Sequence, residues 1–538
     1  VETGAAIAAA PVTLLSRTSG SAEFECSGGA AMKSSKSFGL TILAGLAVTA
    51  CATPGAPGAE RATVSLPQVQ DSYFVAGAAR AEALSSGQRA KNVILFVGDG
   101  MGVSTVTATR IYAGQRAGKD GESNELAMDT FPYSAFSRTY SHDQQIAESA
   151  STATAMTTGV KTRAGGLGLT QGAARGACAE TQANVAKSLF EVAEETGLAT
   201  GVVSTARITH ATPAATYSHV VNRNWENDAA VARDNGAPCA DIARQLIEWP
   251  AGDGFEVVLG GGRANFIPAT QTDPKVVNVR GQRADGRDLT AEWKGKPNHA
   301  FVYTTGQLQA LGDGGDQKIL GLFNPSHMAY DSERGRDANG EPSIAEMTRF
   351  AINRLRKDTD GYVLMVEAGR IDHAHHEGKA GQALSEAAAF DEAIKTALEM
   401  TSREDTLIVV TADHGHTLAM AGYSRRGANI LGLSVGPDGQ PVKAADGKPY
   451  STLSYLNGPG SILGQQGVAP NGRPDLSDAN VTDLNFRQQT LVPMESETHG
   501  GEDVPIYAWG PNDSAFRGTL EQNVIFHLMS DALGYKFR

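Results

Sequence analysis

No run of residues in this sequence is long and apolar enough to cross a bilayer as a helix. The apolar stretch Phe38 to Ala50 falls short of the roughly 20 residues a span requires. Basic charge is in deficit. Lysine and arginine number 46 against 59 aspartates and glutamates, and the net charge of −13 argues against nonspecific nucleic-acid binding. It does not argue against a small anionic substrate, because bound metal charges dominate locally. Cysteine is scarce, four in 538 residues, and there is no internal repeat. With 41% hydrophobic and 20% charged residues, the composition is that of an ordinary soluble globular chain. The length allows two to four domains, or one large α/β domain with insertions.

The N-terminus reads as processing signal rather than fold. Met32-Lys33-Ser34-Ser35-Lys36 is a short basic region, the apolar run follows, and Val48-Thr49-Ala50-Cys51 closes it with small residues before a cysteine. This is the pattern of a bacterial lipoprotein signal peptide over residues 32–50, with Cys51 as the lipidated first residue. The expectation is an exported chain, lipid-anchored and membrane-associated, periplasmic or at the cell surface. Residues 1–31 precede Met32 and read as an upstream extension of the true start. Residues 51–70 begin with Ala52-Thr53-Pro54-Gly55-Ala56-Pro57-Gly58, a flexible tether. Outside the N-terminal segment, which holds Cys26 and Cys51, the cysteines are Cys178 and Cys239, and in an exported chain such a pair reads as one disulfide.

From residue 71 the pattern is α/β. Asn92-Val93-Ile94-Leu95-Phe96-Val97 is continuously apolar, as in a parallel strand buried on both faces, and ends in the tight turn Gly98-Asp99-Gly100-Met101-Gly102. Further strands are expected at 200–205, 256–259, 363–366, 406–410 and 506–509. Helices are expected at 72–86, from Ser104, at 148–159, 183–195, 381–400 and 521–533. The alternation predicts one α/β domain over residues 71–538, a mostly parallel central sheet with helices on both faces. Segments 263–345 and 418–495 are polar, irregular or rich in glycine, proline and asparagine, and read as insertions.

Chemistry concentrates where those strands end. Val366-Glu367-Ala368-Gly369-Arg370-Ile371-Asp372-His373-Ala374-His375-His376-Glu377 carries three carboxylates and three histidines, with Asp372 and His376 four apart, as on one helical face. Carboxylate oxygen with imidazole nitrogen suits zinc with an open position better than calcium. Asp99 follows the strand at 92–97. Asp413, His414 and His416 follow the strand at 406–410. Thr209-His210-Ala211-Thr212 and Glu497-Thr498-His499 flank other strands. These pieces hold seven of the twelve histidines. Ligands of open α/β sheets bind beyond the carboxyl ends of strands, so the pieces are expected to share one crevice. Ser149, in Glu148-Ser149-Ala150-Ser151-Thr152-Ala153-Thr154-Ala155, is either a helix cap or a nucleophile at a helix N-terminus. Arg223, in Asn222-Arg223-Asn224-Trp225, is either a surface arginine or a bidentate grip on a phosphate.

Taken together, Gly98 to Gly102, Ser149-Ala150 with Thr154-Ala155 and Thr158-Gly159-Val160-Lys161, Val221 to Trp225, Glu367 to Glu377, Thr411 to His416 and Thr498-His499 resemble the alkaline phosphatase family. The match runs in order from about Asn92 to the C-terminus. His210, His373 and the pair Cys178–Cys239 make it more similar to the animal-type enzymes than to the enteric bacterial type. The resemblance implies hydrolysis of phosphate monoesters through a phosphoserine, two Zn2+ and one Mg2+, a homodimer, and the same sheet with insertions that include a crown-like region. It implies Asp372, His376 and His499 as ligands of one zinc. Asp99, Asp413 and His414 would hold the second, beside Ser149 as nucleophile. Asp99, Thr212 and Glu367 would hold magnesium, with His210 and His373 reaching it through water. Arg223 would grip the phosphate, and His416 would lie near it.

Two departures stand out. Most members have aspartate before the nucleophile, where this chain has Glu148. Lys275, Asn324 and Glu341 occupy the positions of a further calcium-type site, and a lysine there is unfavourable for a cation, so that site is not expected. A sulfatase of the same superfamily would need proline two residues after the nucleophile and arginine four after it, where Ser151 and Ala153 stand. Diesterase relatives typically lack the third metal and the arginine. A non-catalytic metal- or phosphate-binding lipoprotein would lack a catalytic residue, and none is missing.

Overall fold

The computed structural model describes residues 63–312, 314–337, 340–463 and 472–538. The expected signal peptide, Cys51 and the first part of the tether lie outside them. Among the described residues no helix is long and apolar enough to cross a membrane.

Ten strands build one sheet: β1 (Asn92–Gly98), β2 (Tyr133–Arg138), β3 (Ala199–Arg207), β4 (Val257–Gly261), β5 (His299–Val302), β6 (Lys318–Leu322), β7 (Tyr362–Ala368), β8 (Thr406–Ala412), β9 (Val504–Trp509) and β10 (Gly518–Glu521). Their spatial order is β10-β2-β9-β8-β1-β7-β3-β4-β6-β5, and only β9 pairs antiparallel with its neighbours. The expected α/β architecture is therefore present, with β1 near the centre. Successive side chains of a strand point to opposite faces. Val93, Leu95 and Val97 accordingly join one buried cluster, and Ile94 and Phe96 join the other. A strand covered on both sides has no wet face, which is why its sequence shows no alternation.

Four helices position the site: α1 (Val103–Arg116), α2 (Ser149–Thr158), α3 (Arg370–His376) and α4 (Ala380–Met400). The pairing register sets where they start. Val97 of β1 lies opposite Glu367 of β7 and Thr411 of β8, and Ser204 of β3 lies opposite Glu367. The four strands thus end level, with Asp99, Glu367 and Asp413 side by side.

Two expectations need correction, and two strands were not anticipated. Segment 263–345 is not a mere insertion, because β5 and β6 come from it and complete one edge of the main sheet. These strands have only four and five residues and sit among polar turns, too short for a period to show. The helix expected over 183–195 begins only at Leu189, where Ser188 and Glu191 form a capping box. Finally, β2 and β10, at the other edge, carry no apolar run that would announce them. Segment 418–495 does stand apart: Leu418–Met420, Leu453–Gly458 and Thr490–Pro493 pair into a separate small sheet. Cys178 and Cys239 form a disulfide.

Candidate metal centre and active site

The α3 turn does what its spacing predicts. Asp372 Oδ1 lies 3.3 Å from His376 Nε2 and 3.4 Å from His499 Nε2, and the two imidazole nitrogens are 3.1 Å apart. Each ring is held from behind. His499 Nδ1 donates to the Ala147 carbonyl at 2.8 Å, and His376 Nδ1 donates to the Glu497 carbonyl. With Nδ1 protonated, both Nε2 lone pairs face each other across a gap. Tetrahedral ligands at about 2.0 Å from an ion lie about 3.3 Å from one another, so the three atoms fit one zinc-sized cation.

A second cluster joins β1 and β8. His414 Nε2 lies 3.2 Å from Asp413 Oδ2, 3.5 Å from Asp99 Oδ1 and 3.2 Å from Ser149 Oγ. Asp413 is fixed through its other oxygen, which accepts from the Gly100 and His414 amides at 2.9 Å. The His414 and His499 rings stack at 3.6 Å, so the two clusters are neighbours.

Asp99 also belongs to a third group with Glu367 and His210. Among the described residues both Asp99 oxygens, Glu367 Oε1 and Thr212 Oγ1 are buried without a hydrogen-bond partner, an arrangement that costs several kcal/mol unless a cation fills it. Glu367 Oε2 accepts from Ser204 Oγ. His210 Nε2 accepts from Arg223 Nη2 at 3.0 Å, leaving its buried Nδ1 unpartnered, as is Nδ1 of His373.

The electrostatics agree with the donor set. Burial first, then the charges of Asp413, Asp372 and Glu367, push the Asp99 carboxyl well above its usual range. Burial likewise raises Glu367 and Asp413. Burial would raise Asp372 too, but His376, His416 and His499 hold it well below. Four carboxylates this close cannot all ionise without compensating positive charge. The residues therefore fit divalent cations.

Ser149 opens α2, a fully buried helix, at the end where backbone N–H groups gather. Glu148 is its cap and does more than cap. One oxygen accepts from the Ser151 and Gly165 amides, the other from the Ala150 amide and from Arg223 Nη1 at 2.7 Å. Burial alone would raise the Glu148 carboxyl, but Arg223 and these amides outweigh it and lower it. The longer side chain thus reaches Arg223. His416 Nε2 lies 2.8 Å from Asp372 Oδ1 and its Nδ1 meets Glu497. Burial opposes protonation there, but the two carboxylates raise it to about 10.

All the side chains singled out in the sequence for metals, nucleophile and phosphate converge on this crevice. Two neighbours went unassigned. Glu497 binds His416 and Thr417 through its carboxylate and His376 through its carbonyl; its place two residues before His499 was the available signal. His327 packs its ring 3.9 Å from that of His373, and nothing in its irregular segment marked it. At the calcium-type positions, Lys275 Nζ donates to the carbonyls of Phe323 (2.8 Å) and Gly340 (3.3 Å) and pairs with Asp337 and Glu341. Asn324 Nδ2 donates to Glu341 at 2.7 Å.

Buried carboxylates and imidazoles at the carboxyl ends of parallel strands, beside a serine on a helix N-terminus, define a metal-dependent hydrolase of α/β architecture. The alkaline phosphatase family model matches residues 90–535. An alkaline phosphatase of Gadus morhua is 43% identical over 452 residues, 82% of this chain and 92% of that protein. A membrane-bound alkaline phosphatase of Bombyx mori is 42% identical over 463 residues, 84% of this chain and 81% of that one. The solved alkaline phosphatase of Thermus thermophilus is similar in fold at a TM-score of 0.59 and 27% identity, covering 84% of this chain and 92% of its own. The chain belongs to the alkaline phosphatase family and is a phosphate monoester hydrolase.

Proposed function

We propose that hydrolysis proceeds in two displacements through phosphorylated Ser149. Ser149 Oγ loses its proton and forms a bond to phosphorus while the bond to the alcohol oxygen breaks and the alcohol leaves protonated. Water then forms the next bond to phosphorus, the bond to Oγ breaks, and Ser149 recovers its proton as inorganic phosphate departs. Arg223 grips two non-bridging oxygens, and Glu148 holds its guanidinium in place. The observation carrying this reading is Ser149 Oγ at 3.2 Å from His414 Nε2, on a helix N-terminus beside the carboxylate and imidazole cluster.

The metal complement we favour is two Zn2+ and one Mg2+. Asp372, His376 and His499 would hold one zinc, and Asp99, Asp413 and His414, with Ser149, the other. Asp99, Thr212 and Glu367 would hold magnesium, with His210 and His373 beside it. Bound there, the ions supply Lewis acidity that makes the serine oxygen nucleophilic and stabilises charge on the leaving oxygen. Acid quench with labelled phosphate should trap label on the peptide containing Ser149. Label elsewhere, or undiminished turnover in Ser149→Ala, would refute the assignment.

The sequence also supports export with a lipid anchor at Cys51, and the family supports a homodimer. Mass spectrometry of the membrane fraction should find a diacylated Cys51; a soluble protein starting elsewhere would exclude the anchor. Sedimentation of the isolated protein decides the dimer, a monomer at micromolar concentration being the adverse result.

A further inference from the structure

A cavity of about 730 Å³ opens directly onto the candidate catalytic centre, within the size range of small-molecule sites. His376 and His499 form its floor. One wall is the strip Ile146-Ala147-Glu148 that leads into Ser149. The other is the segment from Pro493 and Met494 to Glu497, which leads into His499. Both walls are fastened to the floor, because the Ala147 carbonyl accepts from His499 Nδ1 and the Glu497 carbonyl accepts from His376 Nδ1. The walls cannot shift without moving those imidazoles.

The side chains on these fixed walls are unexpected for water-facing positions in an acidic protein. Ile146 is 49% exposed and Met494 39% exposed, and they present an aliphatic and a thioether surface to the opening. Among the described residues no lysine or arginine lines the cavity. Its carboxylates are not equivalent. Glu148 is neutralised by Arg223, and Glu497 is consumed by His416 and Thr417. Glu495 makes no ion pair among the described residues and lies exposed on the wall.

The direction of displacement connects the cavity to the reaction. Ser149 Oγ lies beside His414, whose ring stacks on His499, and His376 lies beyond. In an in-line displacement the leaving oxygen departs on the side opposite the nucleophile, here toward the His376 and His499 floor. The rest of the alcohol must then occupy the space above that floor.

We propose that this cavity is the subsite for the alcohol portion of the monoester, and that Ile146, Met494 and Glu495 make it select uncharged aromatic or apolar alcohols over alcohols carrying a second anionic group. The proposal rests on the reading of Ser149 as phosphoryl acceptor. Ile146 and Met494 cover the apolar part of the alcohol, and Glu495 repels a second negative charge, an effect that salt screens.

The test compares kcat/KM for methyl, benzyl and 4-carboxybenzyl phosphate in the metal-loaded protein, three esters whose leaving alcohols are of similar acidity. The wild type should favour benzyl over methyl phosphate by roughly tenfold, and the Ile146→Ser/Met494→Ser double variant should bring that ratio to within about twofold. Inhibition by benzylphosphonate against methylphosphonate should follow the same ratio, independent of chemistry. Glu495→Gln should narrow the gap between benzyl and 4-carboxybenzyl phosphate several-fold at low salt and much less at high salt. A benzyl-to-methyl ratio unchanged in the double variant, or a carboxylate penalty unchanged in Glu495→Gln, overturns the proposal while leaving the hydrolase reading intact. A wild type that turns over none of the three esters overturns the hydrolase reading itself.

Discussion

Glu148 carries two jobs that a shorter aspartate would divide differently. It satisfies three amides around the start of α2, and it holds Arg223. The two roles separate by measurement. Glu148→Ala should cost about 1 kcal/mol of stability through the lost cap, and about tenfold in kcat/KM through the mispositioned arginine. In a double-mutant cycle with Arg223→Ala the activity losses should be strongly non-additive; additive losses would mean that the side chains do not act together. Lys275 makes a different point. Its ammonium is surrounded by the Phe323 and Gly340 carbonyls and the Asp337 and Glu341 carboxylates, an oxygen cage already holding its own positive charge. Calcium should therefore leave the wild-type melting temperature unchanged. Lys275→Ala should destabilise by roughly 2 kcal/mol, with partial recovery on adding calcium, since the buried Glu341 carboxylate and the partly exposed Asp337 are then left without a cation. A melting temperature that rises with calcium in the wild type would contradict this.

Among the elements, those carrying the site were legible and those at the sheet edges were not. β1, β7 and β8 are uninterrupted apolar runs ending in a carboxylate, because they are buried on both faces and their last residues turn toward the crevice. α3 was not among the expected helices, and the four-residue step between Asp372 and His376 was its one signal. β5, β6, β2 and β10 were not legible, since short strands at or next to the sheet edges gain their identity from their neighbours and not from their own composition. The convergence of His327 on the site depends on tertiary placement that no local pattern encodes, whereas Glu497 was marked only by standing two residues before His499. One inter-element tie has a pH signature. Asp391 of α4 accepts from the Ala127 and Met128 amides and so fastens the turn after α1. Burial raises its pKa to about 6, against an ordinary 3.8, despite those amides. Between those values the folded chain keeps a proton that the unfolded chain has lost. This contribution is thus complete below about pH 4 and is lost as pH rises through 6. Denaturation curves of wild type and Asp391→Asn at pH 4, 5, 6 and 7 should show the wild type losing on the order of 2 kcal/mol relative to the variant across that window. Parallel curves would remove Asp391 from the account.

At the scale of the whole molecule, the crevice ties together segments that are distant in sequence. Asp99 follows β1, Thr212 lies after β3, Glu367 and Asp372 surround the end of β7, Asp413 follows β8, and His499 precedes β9. The carboxylates among them are at most 4% exposed, and the chain already carries a net charge of −13. Without cations these groups repel one another in a place where water cannot screen them, so metal binding should be a large part of the stability of the fold. The strand ends are also held by the sheet ladder. The segments around 209–214 and 497–501 are outside the main sheet, the second in a ladder only through the two-residue pairing of His499-Gly500 with Gly415-His416, and rely more on the centre they surround. Extensive dialysis against a chelator should therefore lower the calorimetric melting temperature by roughly 5–10 °C, with elemental analysis following the loss of bound divalent cations. Hydrogen exchange should accelerate first in 209–214 and 497–501 while β1, β7 and β8 stay protected. Restoring zinc and magnesium should reverse both changes. If the metal-free protein keeps its melting temperature and its protection in those two segments, the centre is held by the polypeptide alone, and the cations contribute to the chemistry without contributing to the fold.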